Sequence, residues 1–400
     1  MMTLFGYGKT TKAIAQKFHN CKIYDDSFTE VTKDAFGNEL IPSKLFDPDK
    51  SGLEVTSPGI PPSNPLIKKA QNLISEYDLF ADTMPYSIWV SGTNGKTTTT
   101  EMIQSLLSKR GSVEGGNIGT PLALLSKEAP IWILETSSFS LHYTNKAAPD
   151  MYVLLPISPD HISWHGSYEA YEKAKLKPLD TMWEGEIAII PEKYKDYPTE
   201  AMKITYNSAQ DLADYFKLDI KKIKFKEPFL TDALVAMGVN KILYDEVDYD
   251  AINSFEIGKH RLEELFDKKH RLWVNDSKAT NANASIAALK NYKDKKINLI
   301  LGGDDKKADL TPLFELLKNL DVEIFAIGSN TQKIVELSNK IHKKVHACDI
   351  LNIAVEKINV IHTNKDVAIL SPAAASLDQF TSYEHRGEDF VEAIKNLRIS

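Results

Sequence analysis

One short stretch constrains the fold more than any other: WVSGTNGKTTTTEM, Trp89–Met102. It ends an apolar strand, turns on Gly92 and Gly95, and opens a helix near Lys96. A strand running through a glycine turn into a helix is one half of a β-α-β unit, so α/β architecture with parallel sheets is expected. The common phosphate loop, G-x-x-x-x-G-K-[ST], would need glycine at position 90, where Val90 stands. The loop is therefore a clipped variant. Its N–H groups still converge on a helix N-terminus, where the dipole favours phosphate. Gly92, Thr93, Asn94, Gly95, Lys96, Thr97 and Thr98 are the expected nucleotide contacts. Lys96 supplies charge to the outer phosphates, and Thr97 a hydroxyl for Mg2+.

The rest of the chain extends the same pattern. Strand-like and helix-like runs alternate over 400 residues, and ~100–200 residues per domain suggests two to four domains. The N-terminal run LFGYGKTTKAIAQKF has Gly6 and Gly8 of a dinucleotide-type turn, but Thr11 replaces the third glycine. A loop at Ser57-Pro58-Gly59 precedes a helix starting near Asn64-Pro65. From Pro85 the strands SIWVS, IWILE and MYVLLPI are apolar on both faces, as in a buried parallel sheet. A long helical run, SYEAYEKAKLKPLDTM, follows. Residues Ala251–Lys259 read as a linker. Beyond them INLILGG, VEIFAIGS, KVHAC and DVAILSP each precede a helical pattern, which is an open doubly wound sheet. The net charge of -7 argues against a dedicated nucleic-acid binder. Two cysteines suit a reducing compartment. The start lacks the apolar core of a signal peptide, and no run approaches ~20 apolar residues. A cytoplasmic protein is expected.

Several residues outside the loop carry chemistry. Glu135 closes the strand IWILE beside the phosphate loop, where a magnesium-binding acid belongs; a solvated strand-end glutamate is the plainer alternative. His161 follows a strand, and Tyr171 and Lys175 stand at i and i+4 on one helical face. On the residues alone, a structural histidine and a solvated lysine account for them. The loop NDSKATN gathers Asp276, Ser277, Lys278, Thr280 and Asn281 between a strand and a helix. Capping explains Ser277, Thr280 and Asn281; fixing a small zwitterion is the other reading. GGDDKKAD adds Lys306 or Lys307, and SPAAASLDQF adds Ser376 at an expected helix start. Three polar loops on one sheet edge point to a pocket.

Together these residues resemble the Mur ligases of peptidoglycan synthesis, over all three stretches. GTNGKT is similar to the clipped phosphate loop of that superfamily, which folylpolyglutamate synthases share. LETSSFSL, HRLEEL, NDSKATN, LGGDDKKAD and SPAAASLDQF resemble its D-glutamate-adding branch. The diaminopimelate- or lysine-adding relatives normally show Tyr-Ala-His where this chain has Ser277-Lys278-Ala279. The resemblance implies an ATP-dependent ligase that adds D-glutamate to UDP-N-acetylmuramoyl-L-alanine through an acyl phosphate. It implies three domains: a Rossmann-like UDP-binding domain, 1–84; a central P-loop ATPase-type parallel-sheet domain, 85–257; and a C-terminal doubly wound, Rossmann-like amino-acid-binding domain, 258–400.

The resemblance also implies roles for single residues. Lys96, Glu135, His161 and Lys175 would be catalytic. Thr97 and Glu135 would hold one Mg2+, and His161 with a carbamylated Lys175 a second. Arg261 and Asp276 would meet ATP. Gly8, Lys9, Thr10, Ser57, Pro58, Gly59, Asn117 and Ser137 would face the UDP-linked substrate. Lys278, Thr280, Lys306, Ser376, Leu377 and Tyr383 would surround D-glutamate. The enzyme would act as a monomer, with no nucleic-acid or membrane partner. Two rivals remain: another ligase of the superfamily, such as a folylpolyglutamate synthase, and a nucleotide switch that hydrolyses ATP to change shape.

Overall fold

The structure, a computed structural model, describes residues 2–306 and 308–397. Lys307, the alternative to Lys306, lies outside them. The chain separates into two compact units, Met1–Phe225 with Phe229–Phe255, and Lys226–Pro228 with Glu256–Ser400. Three six-stranded sheets, dominated by parallel pairs, form the α/β framework.

The first sheet contains β1 (Met2–Phe5), β2 (Lys22–Asp25), β3 (Thr32–Lys33), β4 (Glu39–Pro42), β5 (Leu53–Thr56) and β6 (Leu73–Ile74). Their order is β3-β4-β2-β1-β5-β6, and only the β3/β4 pair is antiparallel. Gly6 turns at φ +86, and helix Lys9–Phe18 follows. Thr11, in the place of a third glycine, is fully buried and donates its hydroxyl to the Gly6 carbonyl at 2.7 Å. The hydroxyl thus closes the turn from within.

The second sheet, in the same unit, is parallel throughout. It contains β7 (Tyr86–Ser91), β8 (Val113–Gly116), β9 (Ile131–Glu135), β10 (Met151–Leu154), β11 (Ile187–Pro191) and β12 (Met202–Tyr206), in the order β12-β11-β10-β7-β9-β8. All residues of β9 and β10 are buried, as the two-faced apolar pattern requires. The long helical run after β10 is broken in two, Tyr168–Leu176 and Pro178–Thr181. Proline at 178 lacks the N–H that would continue the ladder. The linker expected over Ala251–Lys259 is also shorter than its pattern suggests. Helix Tyr249–Ser254, capped by Asp248 accepting from the Ala251 N–H at 2.8 Å, covers its first part.

The third sheet, in the second unit, contains β13 (Glu263–Phe266), β14 (Leu272–Asn275), β15 (Ile297–Gly302), β16 (Val322–Ile327), β17 (Val345–Asp349) and β18 (Val367–Leu370). The order is β13-β14-β18-β15-β16-β17, parallel except for the β13/β14 hairpin. The loops after β14, β15 and β18 therefore leave the same edge of the sheet, and these are the polar loops NDSKATN, GGDDKK and SPAAASLDQF.

Candidate active site

The clipped loop leaves β7 and enters helix Lys96–Leu107. Gly92 adopts φ +138, and a side chain there would put its Cβ 2.6 Å from the Leu155 Cβ. Gly95 adopts φ +82, with its would-be Cβ 2.7 Å from an Asp232 carboxylate oxygen. Both positions demand glycine. The Lys96 ammonium folds over the loop and donates to the Thr93 carbonyl at 2.8 Å. Loss of hydration there lowers its pKa, against the opposing fields of Glu135 and Asp160.

Glu135 ends β9 and is 2% exposed. One carboxylate oxygen accepts from the Thr97 hydroxyl at 2.7 Å, the other from the Asn117 amide at 2.6 Å. Asn117, expected beside the UDP-sugar, thus also braces the acid. Among the described residues no three His, Cys, Asp or Glu side chains gather into a metal cluster. A hydroxyl and a carboxylate are nonetheless the hard oxygen donors that suit Mg2+ held mainly by phosphate and water, so these residues fit that ion.

Lys175 is 1% exposed, and its ammonium donates to the Gly92 carbonyl at 2.7 Å and the Ser91 hydroxyl at 3.4 Å. Burial, then the nearby Lys96 charge, lowers its pKa well below the usual lysine value. The helical face read from the sequence is real: the Lys175 Nζ lies 5.1 Å from the centre of the Tyr171 ring. His161 approaches the same ring at 6.2 Å between centroids, and its Nε2 lies 3.8 Å from Asp160. Tyr171 in turn meets the Thr93 hydroxyl at 2.9 Å. His161 and Lys175 therefore flank one ring that touches the phosphate loop.

The residues expected to hold UDP lie in the first unit. Lys9 donates to the Gly119 carbonyl, beside Asn117. Thr10 and Pro58 line a narrow cleft with Thr56, Ser75, Glu76, Ser140 and Tyr143. Tyr143 donates to the Ile60 carbonyl at 2.6 Å, fixing the loop of Ser57 and Gly59. Ser137 caps helix Ser138–Tyr143, accepting from the Ser140 N–H at 3.0 Å.

In the second unit, Asp276 is buried and both its oxygens are engaged, by the Leu262 N–H at 3.2 Å and the Ser371 hydroxyl at 2.7 Å. Burial pushes its pKa up to about 7. Its bond to Leu262 holds the segment of Arg261. Of the three suggested caps only Asn281 caps the helix, accepting from the Ala284 N–H at 3.0 Å. Ser277 instead donates to the Tyr383 carbonyl at 2.8 Å. The Lys278 ammonium stands 3.9 Å from the centre of the Tyr383 ring. Thr280 and Lys306 are exposed, Lys306 at φ +48 with its N–H on Asp304 at 3.0 Å. Ser376 does not start a helix. It opens a turn, its carbonyl accepting from Phe380 N–H at 2.8 Å, and the helix begins at Tyr383 behind the Ser382 cap. Leu377 is 66% exposed. Asp304 and Ala375 exchange backbone bonds at 3.0 and 2.9 Å, which joins the Lys306 and Ser376 loops.

Three residues escaped the sequence. Asp232, buried on helix Phe229–Tyr244, accepts from the Thr99 hydroxyl at 3.0 Å and abuts Gly95. A lone acid in an otherwise apolar run was its signal. His165 meets the Ser138 hydroxyl at 3.0 Å, and Arg386 is 1% exposed between loops. Neither stands out in its local sequence.

Residues 90–263 match the family model of the Mur ligase middle domain. Over 400 residues the chain is 53% identical to a UDP-N-acetylmuramoylalanine--D-glutamate ligase of Campylobacter jejuni subsp. jejuni serotype O:23/36, covering 99% of this chain and all of that one. It is 46% identical to a protein of the same name from Helicobacter pylori strain HPAG1, with 97% and 98% covered. A crystal structure of MurF ligase from Thermotoga maritima in complex with ADP superposes with a TM-score of 0.59 at 17% identity, covering 86% of this chain and 88% of that one.

Proposed function

The chain belongs to the Mur ligase family, and from that premise we infer that it joins D-glutamate to UDP-N-acetylmuramoyl-L-alanine while ATP is cleaved to ADP and phosphate. The observation that carries the reading is the Glu135 carboxylate held between Thr97 and Asn117 at the phosphate loop. Full-length identity to D-glutamate ligases supports the choice of amino acid.

A carboxylate oxygen of the alanyl group attacks the γ-phosphorus of ATP, and the bond to ADP breaks. The D-glutamate amine, having lost a proton, attacks the acyl phosphate carbon. The tetrahedral intermediate then loses the second nitrogen proton to solvent or to the departing phosphate, expels inorganic phosphate and leaves the amide. Lys96 and the loop N–H groups stabilise negative charge on the moving phosphoryl group. Two Mg2+ ions, one at Thr97 and Glu135 and one at His161 and Lys175, would supply further positive charge to the phosphates. Lys175 can serve there once its neutral amine adds CO2, releases a proton and becomes a carbamate. Its burial, with no ion pair to a carboxylate among the described residues, favours that uncharged amine. Lys278, Thr280, Lys306, Ser376, Leu377 and Tyr383 form the D-glutamate subsite. The segment 1–84 receives the UDP moiety, 85–257 ATP, and 258–400 the amino acid.

ATP and UDP-linked precursors are cytoplasmic metabolites, so we place the protein there, working as a monomer. No helix among the described residues is long and apolar enough to cross a membrane.

ADP release measured with each substrate omitted in turn tests this reading. Release is expected only with ATP, UDP-N-acetylmuramoyl-L-alanine and D-glutamate together. Equal release without any amino acid would instead make the protein a nucleotide switch. Release that needs a folate acceptor would make it a folylpolyglutamate synthase.

A further inference from the structure

Two aromatic side chains outside the expected site residues hold the loop that would meet the UDP-linked substrate. Tyr143 ends helix Ser138–Tyr143, and Trp164 lies in the short helix Ile162–His165. Their rings pack edge to face at 5.9 Å between centroids. Phe139 stands 4.7 Å and His165 4.4 Å from the Trp164 ring, which completes an aromatic cluster. Tyr143 donates to the Ile60 carbonyl at 2.6 Å, and Trp164 Nε1 to the Gly59 carbonyl at 3.4 Å. Two consecutive carbonyls of the Ser57–Ile60 loop are therefore fixed to one cluster.

These bonds leave the other side of the loop open. The Ile60 N–H already donates to the Ser57 carbonyl at 3.2 Å, so the planar Gly59–Ile60 peptide is held at both ends. Pro61 follows and carries no N–H. The preceding N–H, that of Gly59, has no acceptor among the described residues. Gly59 is exposed, and no atom lies within 4 Å of where its Cβ would stand. Beside this loop, Gly8 opens helix Lys9–Phe18 without a side-chain cap, and its would-be Cβ lies 3.4 Å from the Ser57 hydroxyl. A free backbone donor next to an uncapped helix N-terminus attracts an anion. A loop fixed beforehand binds that anion without the cost of being ordered.

We propose that Tyr143 and Trp164 are positioning residues for the UDP-linked substrate: by holding the Ile60 and Gly59 carbonyls they preset the loop so that the Gly59 N–H meets an anionic oxygen of that substrate. This role rests on the reading that the segment 1–84 receives the UDP moiety.

The test compares the full chain with Tyr143→Phe, Trp164→Phe and the double variant. Binding of UDP-N-acetylmuramoyl-L-alanine is measured by calorimetry, and initial rates of ADP release with each substrate varied in turn. Phenylalanine keeps a ring in the cluster and removes the donor. Each single change is expected to weaken binding of the UDP-linked substrate and raise its KM about 3- to 10-fold, the worth of one neutral hydrogen bond, and the double change by more than either. The KM values for ATP and D-glutamate should stay within about twofold, and hydrogen exchange over residues 57–64 should quicken. A packing role alone would lower thermal stability and leave binding of the UDP-linked substrate unchanged, or move all three KM values together; either result overturns the proposal. So does failure of the phenylalanine variants to fold, which would make the cluster a folding element. Absence of binding by the wild-type protein would overturn the UDP reading, and this role with it.

Discussion

Replacing Lys96 with alanine is expected to slow ligation by roughly two or more orders of magnitude, in line with ~2.7–4 kcal/mol for losing one strong transition-state stabiliser. Lys96 opens the helix behind the phosphate loop and holds its ammonium on the Thr93 carbonyl. On the proposed function, that ammonium would be the loop's own counter-charge to the outer phosphates of a bound nucleotide. Negative charge is spread over the phosphoryl oxygens and develops on the departing ADP oxygen as the group passes to the alanyl carboxylate, so the loss should fall on kcat. The variant should still fold, because among the described residues the Lys96 side chain makes its hydrogen bond to its own loop, at the Thr93 carbonyl. Steady-state rates at saturating substrates check this. Near-normal turnover would show that phosphoryl transfer takes place elsewhere.

The second large effect is at Lys175. Alanine there is expected to abolish most activity, and small carboxylates such as acetate or formate should restore part of it. An ammonium beside Mg2+ would be repelled, whereas a carbamate is an oxygen ligand of the kind the ion prefers. Buried under the phosphate loop, with Gly92 and Ser91 as its partners, Lys175 is a poor place for a permanent charge. Lys175→Arg should stay inactive, since guanidinium keeps its charge and forms no carbamate. Full activity of the alanine variant would refute the modified lysine, as would an active, metal-bound crystal whose Lys175 density ends at a bare ammonium.

The features legible in the sequence are local. Gly92–Thr97 and Glu135 were legible because a strand, a turn and a helix lie within a few residues of each other. The pairing of Tyr171 with Lys175 followed from helical spacing alone. What the sequence hid depends on distant partners. Arg386 meets Ser277 across 109 positions, and Asp232 meets Thr99 across 133. No spacing rule reaches that far. Ser277 has the residue type of a cap, but Asn281 fills that role and the Ser277 hydroxyl meets Tyr383 and Arg386 instead. The run SPAAASLDQF suggests a helix start at Ser376, but the chain makes a turn there before Ser382 supplies the cap. The helix within Ala251–Lys259 did have a local signal, the Asp248 cap, which the polar, glycine-ended composition obscured.

Addition of D-glutamate is measured directly as product formation from UDP-N-acetylmuramoyl-L-alanine and ATP with a panel of amino acids. Mass spectrometry of the UDP-linked product should show addition of one glutamate residue with D-glutamate, accompanied by stoichiometric ADP. L-glutamate, L-lysine and diaminopimelate should give neither product nor ADP above background. Equal turnover with L-lysine would contradict the account.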